Sequence, residues 1–210
     1  MGHREELAAL GAIEPSFADA IRTWGEPPER LRGRPGHGSR FASLARSVTG
    51  QQFSVASAAA IYGRVVDLLG GEPTPEGFLA HTETELRAVG LSGAKARTLQ
   101  GLSRAILDGV VDLDALDDLP EDQAQAALVA LPGIGPWTAQ LFLMFVLGRP
   151  DVLAAGDVAI RNGIAKIFDL PVRPTEKELV VMAEPWSPHR TAACLIAWHV
   201  LRATPLPAEG

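Results

Sequence analysis

Along most of this chain, apolar residues recur at the three- and four-residue intervals of a helix. Phe41, Leu44, Ala45 and Val48 share one face, and so do Val55, Ala58, Ala59, Tyr62, Val65, Val66 and Leu69. Ala96, Leu99, Leu102 and Ile106 predict a helix over 95–107, and others are expected at 123–130, 141–147, 158–168, 175–183 and 189–202. Joints rich in glycine and proline at 33–38, 70–75, 170–174 and 185–188 separate them, and Gly148-Arg149-Pro150 ends another. Few segments alternate strictly between apolar and polar, so the expected fold class is all-α. Residues 50–135 read as a middle lobe. Residues 1–49 and 136–210 are expected to form a second, discontinuous lobe, with a cleft between the two and a loose tail from 203.

Composition narrows the class. With 210 residues, 47% of them hydrophobic, the chain can bury a real core. The single cysteine, Cys194, excludes an internal disulfide, a four-cysteine iron–sulfur cluster and a cysteine-rich zinc site. No apolar run of about 18 residues suggests a membrane span, and the start has no signal-peptide core. A soluble, cytoplasmic protein is expected. The net charge of −6 argues against holding a polyanion by bulk electrostatics. That charge is uneven, however. Arg22, Arg30, Arg32, Arg34, Arg40 and Arg46 share 22–46 with only Glu26 and Glu29, while acid collects over 108–122. A locally basic face stays open.

Two features carry candidate chemistry. The first is Leu131-Pro132-Gly133-Ile134-Gly135-Pro136-Trp137-Thr138-Ala139-Gln140. Gly133 and Gly135 are read as adopting backbone angles closed to other residues, and Pro136 suits the first position of a helix. Amides at such a helix start point outward together and suit one phosphate, to which the Thr138 hydroxyl can add. An ordinary helix–helix turn is the plainer reading. The second feature is Asp157, just before the apolar-periodic run 158–168. An aspartate there is a helix N-cap. Capping also holds a carboxylate rigid beside the positive end of the helix, which is what a reaction developing positive charge on a sugar wants. Asp151 is a nearby competitor, read as a turn residue.

The hairpin followed by Asp157 resembles the 3-methyladenine DNA glycosylase II family of the helix-hairpin-helix superfamily. The resemblance runs from about Arg40 to Arg202, in a short form without that family's N-terminal β-rich domain. It implies a two-lobed helical glycosylase fold, with Asp157 as the catalytic carboxylate. The stretch from Phe41 to Ser54 matches the turn carrying the residue that wedges into the gap left by a flipped base; Gln52 falls there, with Phe53 beside it. Leu91-Ser92-Gly93-Ala94-Lys95 resembles a turn presenting amides and Lys95 to phosphates, although a plain helical joint with a solvated lysine explains it as well. Trp186-Ser187-Pro188-His189-Arg190, then Trp198, resembles the family's closing motif, in which Arg190 has the structural role of tying the lobes. Trp137 and Trp198 match pocket tryptophans, and Leu141 and His199 stand where well-studied members carry aromatics. By the same resemblance, the backbone carbonyls of Val129, Leu131 and Ile134 would hold a monovalent cation.

Departures sharpen the expectation. Bifunctional relatives carry a lysine nucleophile two residues beyond the hairpin's second glycine. Here that residue is Trp137, so no Schiff base and no strand nicking are expected. The expected activity is removal of alkylated purines, chiefly 3-methyladenine, from duplex DNA by a monomer that needs no cofactor. Two other readings stay open: a non-catalytic DNA-binding helix-hairpin-helix protein, and an acidic helical interaction module.

Overall fold

Several helices in this chain begin where a short polar side chain can turn back on the first helical turn. Ser39, Ser54, Thr74, Thr82, Ser92 and Thr175 each accept an N–H bond from three residues ahead, satisfying a donor that the helix itself leaves unpaired. The computed structural model describes residues 2–29 and 38–205, the side chain of Val55 excepted. Arg30, Arg32, Arg34, the joint at 33–37 and the tail from 206 lie outside the described residues. Among those described there are twelve α-helices and no strand. In order they are α1 His3–Ile13, α2 Pro15–Trp24, α3 Arg40–Gly50, α4 Val55–Leu69, α5 Pro75–Ala80, α6 Glu83–Ala88 and α7 Gly93–Leu107. Then come α8 Glu121–Val129, α9 Pro136–Phe145, α10 Val158–Ile167, α11 Glu176–Met182 and α12 Arg190–Arg202. None is long and apolar enough to cross a membrane.

The chain divides into two units: Met1–Gly33 with Leu143–Gly210, and Arg34–Phe142. The divisions differ from the joints read in the sequence. Helix α3 belongs to the middle unit because its buried face of Phe41, Leu44, Ala45 and Val48 packs with α4 and α7. The first seven residues of α9 belong there too. The middle unit's core continues through Phe78, Leu86, Leu99, Leu102, Leu116, Leu128 and Leu131, with Phe41 and Phe78 edge to face at 6.0 Å. Arg40 pairs with Asp114 and Asp117 and donates to the Leu113 carbonyl, fastening part of the acidic segment to α3.

In the other unit, α12 is buried almost all round, from Thr191 to Ala197 and again at Val200. A helix without a polar face is one that others surround, and α1, α2 and α10 pack on it. Phe17, Phe168 and Trp186 form an aromatic cluster with centroids 5.0–5.8 Å apart. Helices α1 and α2 had no predicted counterpart. Alanines all round α1 blur its apolar stripe, and α2 is capped by Glu14 rather than by a short polar residue.

The α10–α12 crossing depends on Gly163. A Cβ there would sit inside the contact radius of the Ala197 backbone, with the carbonyl carbon 2.6 Å away. Gly163→Ala gains about 1 kcal/mol of helix propensity, but backbone cannot yield as a side-chain tip can. We expect the substitution to destabilise the protein by about 2 kcal/mol net, read as a lower urea midpoint at unchanged slope.

Candidate functional site

The α8–α9 hairpin stands on α7. Leu131 and Ile134 are buried beneath it, and the Ile134 N–H donates to the Leu131 carbonyl at 3.2 Å. Gly133 takes φ 76, and a Cβ on it would collide with the Thr98 methyl group. Gly135 differs from expectation: its φ is not positive, and the space where a Cβ would go is open. Only the first glycine is demanded by the fold; the second leaves room beside the start of α9. Val129, Leu131 and Ile134 all lie in or beside this hairpin, and the Leu131 carbonyl already accepts one bond from the protein.

Opposite the hairpin within the same unit lies the α3–α4 turn. Gln52 is exposed at φ 61, a left-handed conformation rare outside glycine. Such strain persists only where the surroundings enforce it, and it gathers at functional sites. The Gln51 side-chain amide donates to the Gly133 carbonyl at 3.2 Å, joining turn to hairpin. Together they line a concave surface of about 740 Å³, with Gln52, Phe53, Gly135, Trp137, Thr138 and Leu141 among its walls. That volume falls within the ordinary range of ligand pockets. Trp137 is 46% exposed, presenting an aromatic surface; Thr138 is only 5% exposed, leaving little of it for a phosphate.

The other unit positions Asp157. Its Oδ1 accepts from the N–H groups of Ala159 at 2.7 Å and Ile160 at 3.1 Å, capping α10. The loop delivering it is pinned to the start of α12. Arg190 grips Asp151 through Nε at 2.7 Å and Nη2 at 2.6 Å, Ser187 donates to Asp151 at 2.8 Å, and the Thr191 hydroxyl accepts from Val152 N–H while donating to the Arg149 carbonyl. Asp151 is therefore a clamp rather than a plain turn residue, and Arg190 ties elements of one unit. Burial pushes the Asp151 carboxyl up, but the Arg190 guanidinium, the Ser187 hydroxyl and the Arg190 N–H together hold it below its ordinary value. Trp198 is half-buried, tilted against Phe145 at 5.8 Å. Burial pushes the Cys194 thiol up to about 12, which removes it as a nucleophile.

Residues 45–188 match the family model described as HhH-GPD superfamily base excision DNA repair protein. The chain belongs to this family. It is 32% identical over 161 residues to DNA-3-methyladenine glycosylase 1 of Schizosaccharomyces pombe, covering 75% of this chain and 71% of that protein. A solved DNA-3-methyladenine glycosidase from Bacillus halodurans is similar with a TM-score of 0.80 at 32% identity, over 92% of this chain and 87% of that one. The solved S. pombe 3-methyladenine DNA glycosylase in complex with abasic DNA gives 0.76 at 28% identity, over 92% and 95%. The chain spans 58% of the length of a Bacillus subtilis relative to which it is 29% identical.

Within this HhH-GPD chain, the structure gives partners to residues whose roles the sequence left open. Lys95 Nζ donates to the carbonyls of Thr49 at 2.8 Å and Gln51 at 2.5 Å, and burial lowers its pKa from the ordinary value. His199 Nε2 lies 2.9 Å from the Trp24 carbonyl, a bond that fastens α12 to the end of α2. Of the described arginines in 22–46, Arg22 pairs with Asp19 and Arg40 with Asp114 and Asp117, whereas Arg46 lines the concave surface. In each case the partner is distant in sequence or common in type, so pattern alone did not reveal it.

Two measurements follow from this geometry. Gly133→Ala should cost about 2 kcal/mol or more, from left-handed strain and collision. Gly135→Ala should change stability by less than about 0.5 kcal/mol yet weaken binding to abasic duplex DNA, because its methyl group enters the open space. Asp151→Asn should lower stability by about 2–3 kcal/mol at neutral pH. The folded carboxyl titrates below its ordinary value of 3.8, so this stabilisation is full above that value and lost as pH falls through the folded pKa. The gap between wild type and Asp151→Asn in urea unfolding should therefore close only in acid.

Proposed function

We propose that this chain is a monofunctional DNA glycosylase that extrudes alkylated purines, chiefly 3-methyladenine, from duplex DNA and hydrolyses the N-glycosidic bond, leaving an abasic site. The observation that carries the reading is Asp157, a carboxylate fixed by two backbone N–H bonds at a helix start, in a chain of the base-excision repair family. As the bond from sugar to base lengthens, the sugar gains oxocarbenium character. A rigid anion stabilises that charge or orients the attacking water without reorganising during the reaction.

Purines alkylated on a ring nitrogen are cationic. They leave readily, so no strong general acid is required, and they stack well on the electron-rich faces of Trp137 and Trp198. Leu141 supplies apolar wall. Gln52 is assigned to the gap, where its amide can bond to the orphaned partner base, with Phe53 behind it. The Gly133–Gly135 hairpin and the first amides of α9 receive a phosphate. Trp137 occupies the position of the lysine in bifunctional relatives, and an indole cannot form a Schiff base, so strand cleavage is not part of the activity. The reaction is hydrolysis and calls for no organic cofactor. The carbonyls of Val129, Leu131 and Ile134 are the donors that would take a monovalent cation. The protein is taken to act as a monomer in the cytoplasm, where its DNA is.

The test is release of free bases from randomly methylated DNA by wild type and Asp157→Asn, resolved by chromatography. Asparagine also caps helices, so the variant keeps the fold and loses the charge. We expect 3-methyladenine from the wild type and a drop of at least about 100-fold in the variant, with abasic-DNA binding retained within a few fold. Equal release by both would remove Asp157 from the chemistry. Binding without release by either would leave a non-catalytic DNA-binding protein, and no binding even at low salt would leave the interaction module.

A further inference from the structure

Lys95 reaches from the first turn of α7 into the α3–α4 turn, and its contacts surround the one strained residue there. Its ammonium bonds to the carbonyls of Thr49 and Gln51, at 2.8 and 2.5 Å, and lies 3.7 Å from the centroid of the Phe53 ring. Thr49 and Gln51 stand at the C-terminal end of α3, where carbonyls run out of intrahelical partners and the helix dipole favours a cation. A lysine has three donors and no acceptor. Here two serve carbonyls and the remaining charge faces an aromatic ring. Gln52, at φ 61, sits between the second carbonyl and that ring.

We propose that Lys95 is a positioning residue that locks the α3–α4 turn, so that Gln52 is held in its left-handed conformation, ready to fill the gap left by an extruded base. This rests on the glycosylase reading of the site. It replaces a role for Lys95 in gripping phosphate. A phosphate-binding lysine contributes equally on damaged and undamaged DNA and steepens the salt dependence of binding. A positioning lysine acts only when a base leaves the stack. The two roles thus separate cleanly.

The experiment compares wild type with Lys95→Met by three readouts: single-turnover release of 3-methyladenine from methylated duplex, the slope of log affinity against log salt on abasic duplex, and amide hydrogen exchange at Gln51 and Phe53 without DNA. We expect release to fall at least about tenfold, the salt slope to stay unchanged, and exchange at those two amides to quicken about tenfold or more. A slope smaller by about one unit, with exchange unaltered, would overturn the proposal and return Lys95 to phosphate. If Lys95→Met does not fold, Lys95→Arg decides the matter. It keeps the charge for a phosphate but replaces the compact donor between two carbonyls, so release should fall at least about threefold at constant slope; release at the wild-type rate overturns the lock. A wild type that releases no base would overturn the glycosylase reading instead, and faster exchange in Lys95→Met would mark that as a separate failure.

Discussion

Helix α7 presents Lys95, Thr98 and Gly101 at intervals of three, on one face, and the concave surface of the middle unit is referenced to that stripe. Lys95 takes the carbonyls that end α3. Thr98 packs so closely on Gly133 that no side chain fits there, and Pro132 lies over Gly101, 3.6 Å from where a Cβ would stand in ordinary contact. One rigid helix therefore sets the distance between the Gln52 turn and the hairpin, and the Gln51–Gly133 bond closes the arrangement. Turns are the mobile parts of helical proteins. Their use as precise tools requires that something stiff carry both.

The carboxylate is built by a different device with the same logic. Between α9 and α10 the chain runs irregularly, and Asp151 and Val152 are fastened to Arg190 and Thr191 at the start of α12. Helix α12 is buried almost all round, which makes its start a fixed anchor. Five residues beyond that clamp, Asp157 caps α10. Its place is thus set twice, by the loop before it and by the amides after it. A cap whose only task was to start a helix would need just the second. The doubled restraint fits a side chain that must meet developing charge without moving.

The hairpin and the Asp157 cap were legible because each is written in consecutive residues whose backbone demands are local: a glycine, a helix-opening proline, an aspartate before an apolar run. The predicted helices from α3 onward followed for the same reason. Long side chains were not legible. Lys95 and His199 end on carbonyls 44 and 175 residues away in sequence, and nothing in their neighbours announces it. Gly135 fell between these cases. Its sequence context matches Gly133, yet only Gly133 meets a fold-imposed collision, because Thr98 comes from another helix. The short helices α5 and α6 were missed because six residues do not make a period.

The net charge of −6 looks at odds with a polyanionic substrate, and internal ion pairs leave that sum unchanged. Asp114 and Asp117 share Arg40, Asp19 holds Arg22 and Asp151 holds Arg190, so these arginines are engaged within the protein while the excess of acid stays. The proposed interface offers Arg46 and, beside it, backbone: the start of α9 and the open space at Gly135. Amide bonds to a phosphate are charge-assisted and worth about 1.5–3 kcal/mol each. They require no lysine and release no counterion of their own. An interface of that kind binds undamaged duplex weakly, because it lacks the bulk attraction that drives non-specific association. Discrimination then shifts to the base itself. A damaged base leaves the stack at smaller cost than a sound one, and on the proposed reading only its extrusion would open the gap assigned to Gln52 and bring the base to the pocket tryptophans. On this reading the acidity of the chain lets the search stay loose while commitment waits for the lesion.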